Sequence, residues 1–300
     1  MQNDDCQICG HATSFRKIID LSQDQFNQGC YSIVECPFCK IKKTIPIPAD
    51  LDKLYQEKPY AQPHSKLNYF LKNILMQHEI RRIAKLTDNH HQFLDIGAGT
   101  GQFAENLFKK GYSVVTADAF EDRPYYVKNI HQIPHVKLNY TTLEIDSPNI
   151  VKNRVIILRH VLEHIQNPDQ FLKKFIDLKA SYFYIALPNV SCLEKLFFRK
   201  SHSFWFVPYH LWFFNQKSLR ILLERLGCEV IVFGYDTIPM IQLHILSHPI
   251  IKKCPQFIMK ILGTQVIQLF LSFLNIFLPN NVLWIVAKTQ SKKDCHEKKY

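Results

Sequence analysis

Between residues 91 and 290, short apolar runs bounded by turn residues alternate with amphipathic stretches. The runs are Gln92–Ile96, Tyr112–Ala117, Arg154–Leu158, Tyr182–Leu187, Cys228–Phe233 and Val282–Ala287. They are rich in Val, Ile, Tyr and Phe, as strands covered on both faces require. Gly101–Lys110, Asp169–Leu178 and Gln216–Leu226 carry helical patterns. Strands alternating with helices predict an α/β fold with a mostly parallel sheet and helices on both faces.

Ahead of this region, Leu67, Phe70, Leu71, Ile74, Leu75, Ile80, Ile83 and Ala84 recur mostly at three- and four-residue steps and predict a helix over about Lys66–Leu86. The segment Ile45-Pro46-Ile47-Pro48 reads as an extended linker. The expected organisation is a cysteine-bearing module over 1–45, a linker and helical lead-in over 46–90, the main domain over 91–290, and a short basic tail over 291–300. One insertion interrupts the main domain. Residues 261–287 carry no formal charge, yet Lys260, Thr264, Gln268, Ser272 and Asn275 form one polar stripe. An amphipathic helix over 256–278 fits this better than a membrane span. It packs on the fold or lies on a membrane surface, where Lys252, Lys253 and Lys260 would meet anionic lipid.

The 300 residues are 47% hydrophobic, enough for a sizeable core. The net charge of +11 suits an anionic partner such as a nucleotide-linked substrate or a lipid head group. The basic residues are scattered, without the block that marks a nucleic-acid groove, so nucleic acid is the less favoured partner. The first residues lack a basic start and an apolar run, so no signal peptide is expected. The nine cysteines include two Cys-x-x-Cys pairs, which favours metal ligation in a reducing compartment over disulfides. The expected location is cytoplasmic, with a peripheral contact at the inner membrane face as the alternative. No sequence signal sets the oligomeric state.

The most informative stretch is Phe93-Leu94-Asp95-Ile96-Gly97-Ala98-Gly99-Thr100-Gly101. A strand runs into a glycine turn and a helix starts at once, so ligand can approach the backbone closely. Seventeen residues later a second strand ends at Asp118, a carboxylate suited to a ribose diol. A dinucleotide fold wants G-x-G-x-x-G. Here the third glycine comes one residue early, and Gln102 stands where such a loop has Gly or Ala. Cys6, Cys9, Cys36 and Cys39 form two thiolate hooks suited to tetrahedral structural zinc. A redox pair is the alternative, although neither pair opens a helix after a strand. His160 to His164 match the H-x-x-E-H peptidase pattern. A peptidase needs both histidines within one long helix, whereas here they directly follow a buried strand and precede Pro168.

The G-x-G-x-G loop preceded by Asp95 resembles motif I of the class I S-adenosylmethionine methyltransferases. Arg159-His160-Val161-Leu162-Glu163-His164-Ile165-Gln166-Asn167-Pro168 and the later Ala186-Leu187-Pro188-Asn189 resemble the "hvLEHi.dP … vPN" pattern of a broad bacterial methyltransferase family. That family includes ubiquinone-biosynthesis O-methyltransferases and sugar and glycan methyltransferases. Tyr209-His210-Leu211-Trp212-Phe213-Phe214, Ser218-Leu219 and Leu226-Gly227-Cys228 resemble its later segment. The resemblance implies a Rossmann-like, seven-stranded sheet and methyl transfer to a small-molecule, sugar, glycan or lipid-linked acceptor. It implies S-adenosylmethionine held by Asp95, Gly97, Ala98, Gly99, Gly101, Asp118, Ala119, Thr142, Leu143 and His160, and it points to His210 as the base.

Glu163 and His164 are read first as helix-start packing and capping residues, with divalent-ion binding near the acceptor as the alternative. The cysteine layout resembles the zinc module of sugar C-methyltransferases, in which Tyr55 and Tyr60 would lie near the cofactor. The family's Asp and Gly-Gly are replaced by Asn153-Arg154 and Lys179-Ala180. The Tyr-x-Glu of the C-methyltransferases is replaced by Val207, Pro208 and Tyr209, which favours O-methylation. A nucleic-acid methyltransferase and a non-catalytic cofactor-binding scaffold are the competing readings.

Overall fold

The computed structural model describes residues 5–21, 30–48, 51, 66–191, 205–236 and 281–290. The expected 256–278 helix, the basic tail, Tyr55 and Tyr60 lie outside these residues. The elements in chain order are β1 (Arg16–Leu21), β2 (Tyr31–Glu35), β3 (Lys42–Ile45), α1 (Lys66–Leu86), β4 (Gln92–Ile96), α2 (Gln102–Lys109), β5 (Ser113–Asp118), β6 (His135–Lys137), β7 (Val155–Arg159), α3 (Pro168–Asp177), β8 (Tyr182–Pro188), β9 (Trp212–Phe213), α4 (Gln216–Arg225), β10 (Cys228–Asp236) and β11 (Val282–Thr289).

Seven strands form the main sheet in the order β10-β11-β8-β7-β4-β5-β6. The pairs β4/β5, β4/β7, β5/β6 and β7/β8 are parallel, and β11 runs antiparallel to both its neighbours. This is the Rossmann-like, mostly parallel sheet expected. The strands of the sheet centre are buried almost throughout, which is why their sequences read as continuous apolar runs. On one face Ile157, Tyr184 and Val286 pack against Ile80 and Ile83 of α1 and Phe103 and Leu107 of α2. On the other, Ile156, Leu158, Phe183 and Ile185 meet Phe171 and Phe175 of α3 and Leu219, Leu222 and Leu223 of α4.

The cysteine segment shares that second face. Cys6, Ile8, Cys36, Cys39 and Ile41 belong to the same apolar cluster as α3 and α4. Its strands form a four-stranded antiparallel sheet, β1-β2-β3-β9, whose last strand lies between β8 and α4 in the chain. Lys42 pairs with Phe213 and Lys43 with Trp212. At both ends of α4 the contacts are polar: Asn215 Nδ2 donates to Lys40 O (3.0 Å), and Arg225 donates to Ile8 O (3.2 Å) and Gln7 O. Asn215 and Ser218 form a reciprocal capping box that fixes the start of α4.

The apolar runs and helical patterns of the sequence mark their elements to within a few residues. Strands β1, β2, β3, β6 and β9 were not among the runs. Among the described residues, no helix is long and apolar enough to cross a membrane. Ile157 is fully buried at mid-sheet. Ile157→Ala is expected to cost about 2–5 kcal/mol of stability. The measurement is the denaturant midpoint at constant m-value, and an unchanged midpoint would contradict the packing described.

Candidate active site

Strand order reverses between β4 and β7, and in open α/β sheets ligands bind outside the carboxyl ends of the strands at such a point. The loop that leaves β4 there has Gly97, Gly99 and Gly101 at φ values of 66°, 54° and 80°. A Cβ on Gly97 would lie 2.6 Å from Val161 Cγ2, in the loop after β7, so only glycine lets the two loops close together. At Gly99 a Cβ would meet open space: here the backbone faces the crevice. Gln102 is buried and donates from Nε2 to Tyr69 O (2.9 Å) and Asn73 Oδ1 (2.8 Å), which ties α2 to α1. That explains the side chain where a dinucleotide loop would be bare.

Two carboxylates flank the loop. Asp118 ends β5, and its Oδ1 accepts from Ala119 N at 2.8 Å. Burial raises its pKa against the pull of the Ala119 and Gly99 amides. Asp95 is buried within β4, and its Oδ2 has no hydrogen-bond partner among the described residues. Burial pushes its pKa up to about 7; Arg159 opposes the shift, and Asp118 and Glu79 add to it. Arg159 closes β7, donates from Nε to Glu79 Oε1 at 3.0 Å and lies 4.4 Å over the Phe103 ring. Glu79 also accepts from the Tyr184 hydroxyl at 2.8 Å. Arg82 continues this network beneath α1, donating to Tyr184 Oη and to both oxygens of Asp236.

Thr142 and Leu143 lie in the loop after β6, not at a strand end. Asn139 Oδ1 shapes that loop by accepting from Thr141 N (2.8 Å) and Thr142 N (2.9 Å). The neighbouring Tyr140 hydroxyl comes within 3.5 Å of where a Gly97 Cβ would stand, so the loop borders the glycine turn. Ala98, half-buried, lies within the turn itself.

A second cluster follows β7. His160 has a left-handed backbone (φ 57°) and its Nδ1 is 3.5 Å from Glu163 Oε1. Residues 162–164 form a single 3-10 turn, without the long helix a peptidase site requires. Glu163 is 1% exposed. Neither of its side-chain oxygens makes a hydrogen bond among the described residues, and the turn has no side-chain cap. Of the expected packing and capping, the side chain is packed inside the protein but makes no capping hydrogen bond among the described residues. Burial alone would raise its pKa, but the imidazoles of His160, His164 and His210 hold it at about 2. His164 Nδ1 lies 2.8 Å from Tyr209 O. A carbonyl only accepts, so this nitrogen carries the proton and Nε2 faces Glu163 Oε1 at 4.0 Å. The rings of His164 and His210 are 4.9 Å apart, edge to face. One ligand atom from each of Glu163, His164 and His210 lies within 4.8 Å of the others. The structure thus brings His210 to the Glu163–His164 pair, as far as the sequence placed any of them.

The four sulfurs of Cys6, Cys9, Cys36 and Cys39 also lie within 4.8 Å of one another, and none is in a disulfide. Cys6–Cys39 and Cys9–Cys36 are each 3.8 Å. The shared hydrogen bond lowers the Cys6 pKa to about 5 and raises that of Cys39.

A parallel sheet with a glycine turn at its reversal point and an acid on the next strand defines a nucleotide-binding α/β protein. Residues 67–232, more than half of the chain, match the family model described as "Methyltransferase domain". The chain belongs to that family. It is 30% identical over 115 residues to a ubiquinone biosynthesis O-methyltransferase of Rickettsia typhi, a match covering 38% of this chain and 44% of that protein. The corresponding protein of Rickettsia akari is 29% identical over 114 residues, 37% of this chain and 42% of the relative. The chain thus spans less than half the length of these curated relatives. Among solved structures, the Burkholderia thailandensis 1,6-didemethyltoxoflavin-N1-methyltransferase, bound to 1,6-didemethyltoxoflavin and S-adenosylhomocysteine, superposes with a TM-score of 0.50. It is 12% identical, over 92% of this chain and all of that one, a likeness of fold.

Arg159, Glu79 and Asn139 are site residues that sequence reasoning gave no role. An arginine closing an apolar run was a visible signal for the first; Glu79 and Asn139 carried none.

Asp95 generates a pH prediction. A buried carboxyl at about 7 favours its neutral form in the free protein. A cationic ligand group favours the charged form, so binding releases a proton below that pH. S-adenosylhomocysteine carries an ammonium. Its affinity, measured by calorimetry, is expected to hold above pH 7 and weaken by up to about tenfold per unit below it. A dissociation constant flat between pH 5.5 and 8 would remove Asp95 from the cofactor site.

Proposed function

We propose that this protein methylates an oxygen of a small-molecule or lipid-linked acceptor, with a phenolic or enolic hydroxyl favoured over an aliphatic one. The observation that carries this reading is the buried, ionised Glu163 among three imidazoles, in the loop beside the glycine turn. Asp95, Gly97, Ala98, Gly99, Gly101, Asp118 and Ala119 would hold S-adenosylmethionine, bordered by Thr142, Leu143 and His160. The unpartnered Asp95 oxygen and the open face of Gly99 fit a cationic nucleoside. The cofactor supplies a methyl group already activated on a sulfonium. The protein must therefore align the acceptor and remove its proton.

His210 is assigned as the base, with Glu163 stabilising the charge that its imidazole acquires. An imidazole has a reference pKa of about 6.5 and a phenol about 10. An aliphatic hydroxyl lies near water, at about 15.7. Proton transfer is then uphill by about 5 kcal/mol from the phenol and about 12 kcal/mol from the alcohol, at 1.36 kcal/mol per unit. The curated relatives support the same choice, since they are named as O-methyltransferases of ubiquinone biosynthesis. Screening with labelled cofactor against catechols, quinone precursors, nucleotide-sugars, glycolipids and RNA tests the reading. Label on phenolic acceptors is expected, and His210→Ala should lower turnover by about 10²–10⁴-fold with cofactor affinity retained. Full activity in that variant would dismiss His210.

The four cysteines are assigned to one structural zinc ion. Zinc–sulfur bonds of about 2.3 Å in a tetrahedron put the sulfurs about 3.8 Å apart, the spacing of Cys6–Cys39 and Cys9–Cys36. Elemental analysis of protein made under reducing, zinc-replete conditions is expected to find about one zinc per chain, lost in Cys36→Ser. Metal-free wild-type protein would sink the assignment.

A further inference from the structure

We propose that the cysteine module is a working part of the methyl-transfer site, with Thr44 as a positioning residue that fixes the main chain carrying His210. This rests on the reading of His210 as the base. Thr44 lies in β3 and is fully buried. Its hydroxyl donates to His210 O at 2.7 Å, and its backbone N–H donates to Leu211 O at 3.0 Å. One threonine thus binds two successive carbonyls, those of His210 and Leu211, one on each side of the Leu211 residue. From the other side Leu211 N donates to the backbone oxygen of Glu163 at 2.8 Å, and His210 N donates to Phe206 O at 3.1 Å. The backbone that carries the imidazole is therefore gripped between the Glu163 turn and the cysteine module.

Thr44 is held in turn by the cysteine turn. Cys36 O accepts from Lys40 N at 3.0 Å, and Cys36 N donates to Ile41 O at 2.9 Å, so the turn closes just before β3 begins. β3 then pairs with β9 directly after His210. The next residues are bracketed by Asn215 Nδ2 on Lys40 O and Lys217 Nζ on Phe38 O, both at 3.0 Å. These hydrogen bonds and strand pairings between residues 210–217 and the module fall on one continuous stretch, Phe38 to Thr44. A module serving only solubility or folding would have no need to end its strand on the carbonyl of the proposed base. Displacing a catalytic group by about 1 Å can cost about 10²-fold in rate. Of the residues assigned to the cofactor, those in the loops after β4, β5 and β6 take no part in these hydrogen bonds.

Thr44→Val keeps the shape and removes the hydroxyl donor, and Thr44→Ser keeps the donor. The first readout needs no acceptor: the ring resonances of His210, assigned against His210→Ala, in the full chain with its metal. They are expected to shift in Thr44→Val and to return in Thr44→Ser, while S-adenosylhomocysteine affinity and zinc content stay within about twofold of wild type. Turnover on an acceptor found by the screen should fall about 10–100-fold in the valine variant and recover in the serine variant. Metal withdrawal from the wild type by a chelator should move the same His210 resonances, which covers the case in which Thr44→Val does not fold. Unmoved His210 resonances in Thr44→Val, or after metal removal, would overturn the proposal. If His210→Ala keeps full turnover, the base assignment fails instead, and the resonance test still reports whether Thr44 positions the loop.

Discussion

The parallel pairing of β4 with β7 is the constraint on which the site depends. From β4 the chain builds outward through β5 and β6; from β7 it builds the opposite way through β8. The loops leaving β4 and β7 are consequently the two that face each other with no crossover between them. Because these strands are buried on both faces, almost no polar side chain can reside within them. The chemistry is pushed to their carboxyl ends. The glycine turn hangs from β4, Asp118 from β5, and Arg159, His160 and Glu163 follow from β7.

What the sequence reveals follows from how local each requirement is. The glycine turn could be read because left-handed backbone and close approach are demands on single residues, and Asp118 because it ends an apolar run. Helices α2, α3 and α4 could be read because burying one face imposes a period; in α1 Ile80 and Ile83 are buried so, but Phe70, Ile74 and Leu75, which also carried its pattern, are exposed. Strand β6 has three residues and β9 has two, too few to show alternation. Their existence is decided by the unpaired edges of β5 and β3, which are distant in sequence. The two cysteine pairs announced themselves by spacing. Their seat against α3 and α4 is a fact of the folded core, to which Ile8 and Ile41 contribute as much as the sulfurs. Glu163 shows the limit most clearly. Its neighbours suggested a cap, and only the fold brings His210 beside it.

The two faces of the sheet are built on different principles. Beneath α3 and α4 the packing is apolar and the cysteine module completes it. Beneath α1 the apolar layer is interrupted by Glu79, Arg82, Arg159, Tyr184 and Asp236, which are linked to one another by hydrogen bonds. Buried ion pairs of this kind contribute little net stability, since desolvation offsets most of the attraction. What such a network does supply is a fixed arrangement, and here it pins Arg159 through Nε and the Phe103 ring.

That arrangement bears on one of two buried carboxylates that behave oppositely. Asp95 and Glu163 are both nearly inaccessible. Glu163 is surrounded by three imidazoles and is held ionised, at about 2. Asp95 has one cation nearby, Arg159, and that guanidinium is already bonded to Glu79; Asp118 adds a further negative charge, and the carboxyl is driven to about 7. Burial acts in the same direction on both, so the difference comes from the neighbouring charges. An ionised Glu163 stabilises positive charge that develops on an adjacent ring. Asp95 is short of positive charge until a ligand brings it. In the proposed reaction the first would support proton removal, and the second would answer the cation that the cofactor brings into the crevice.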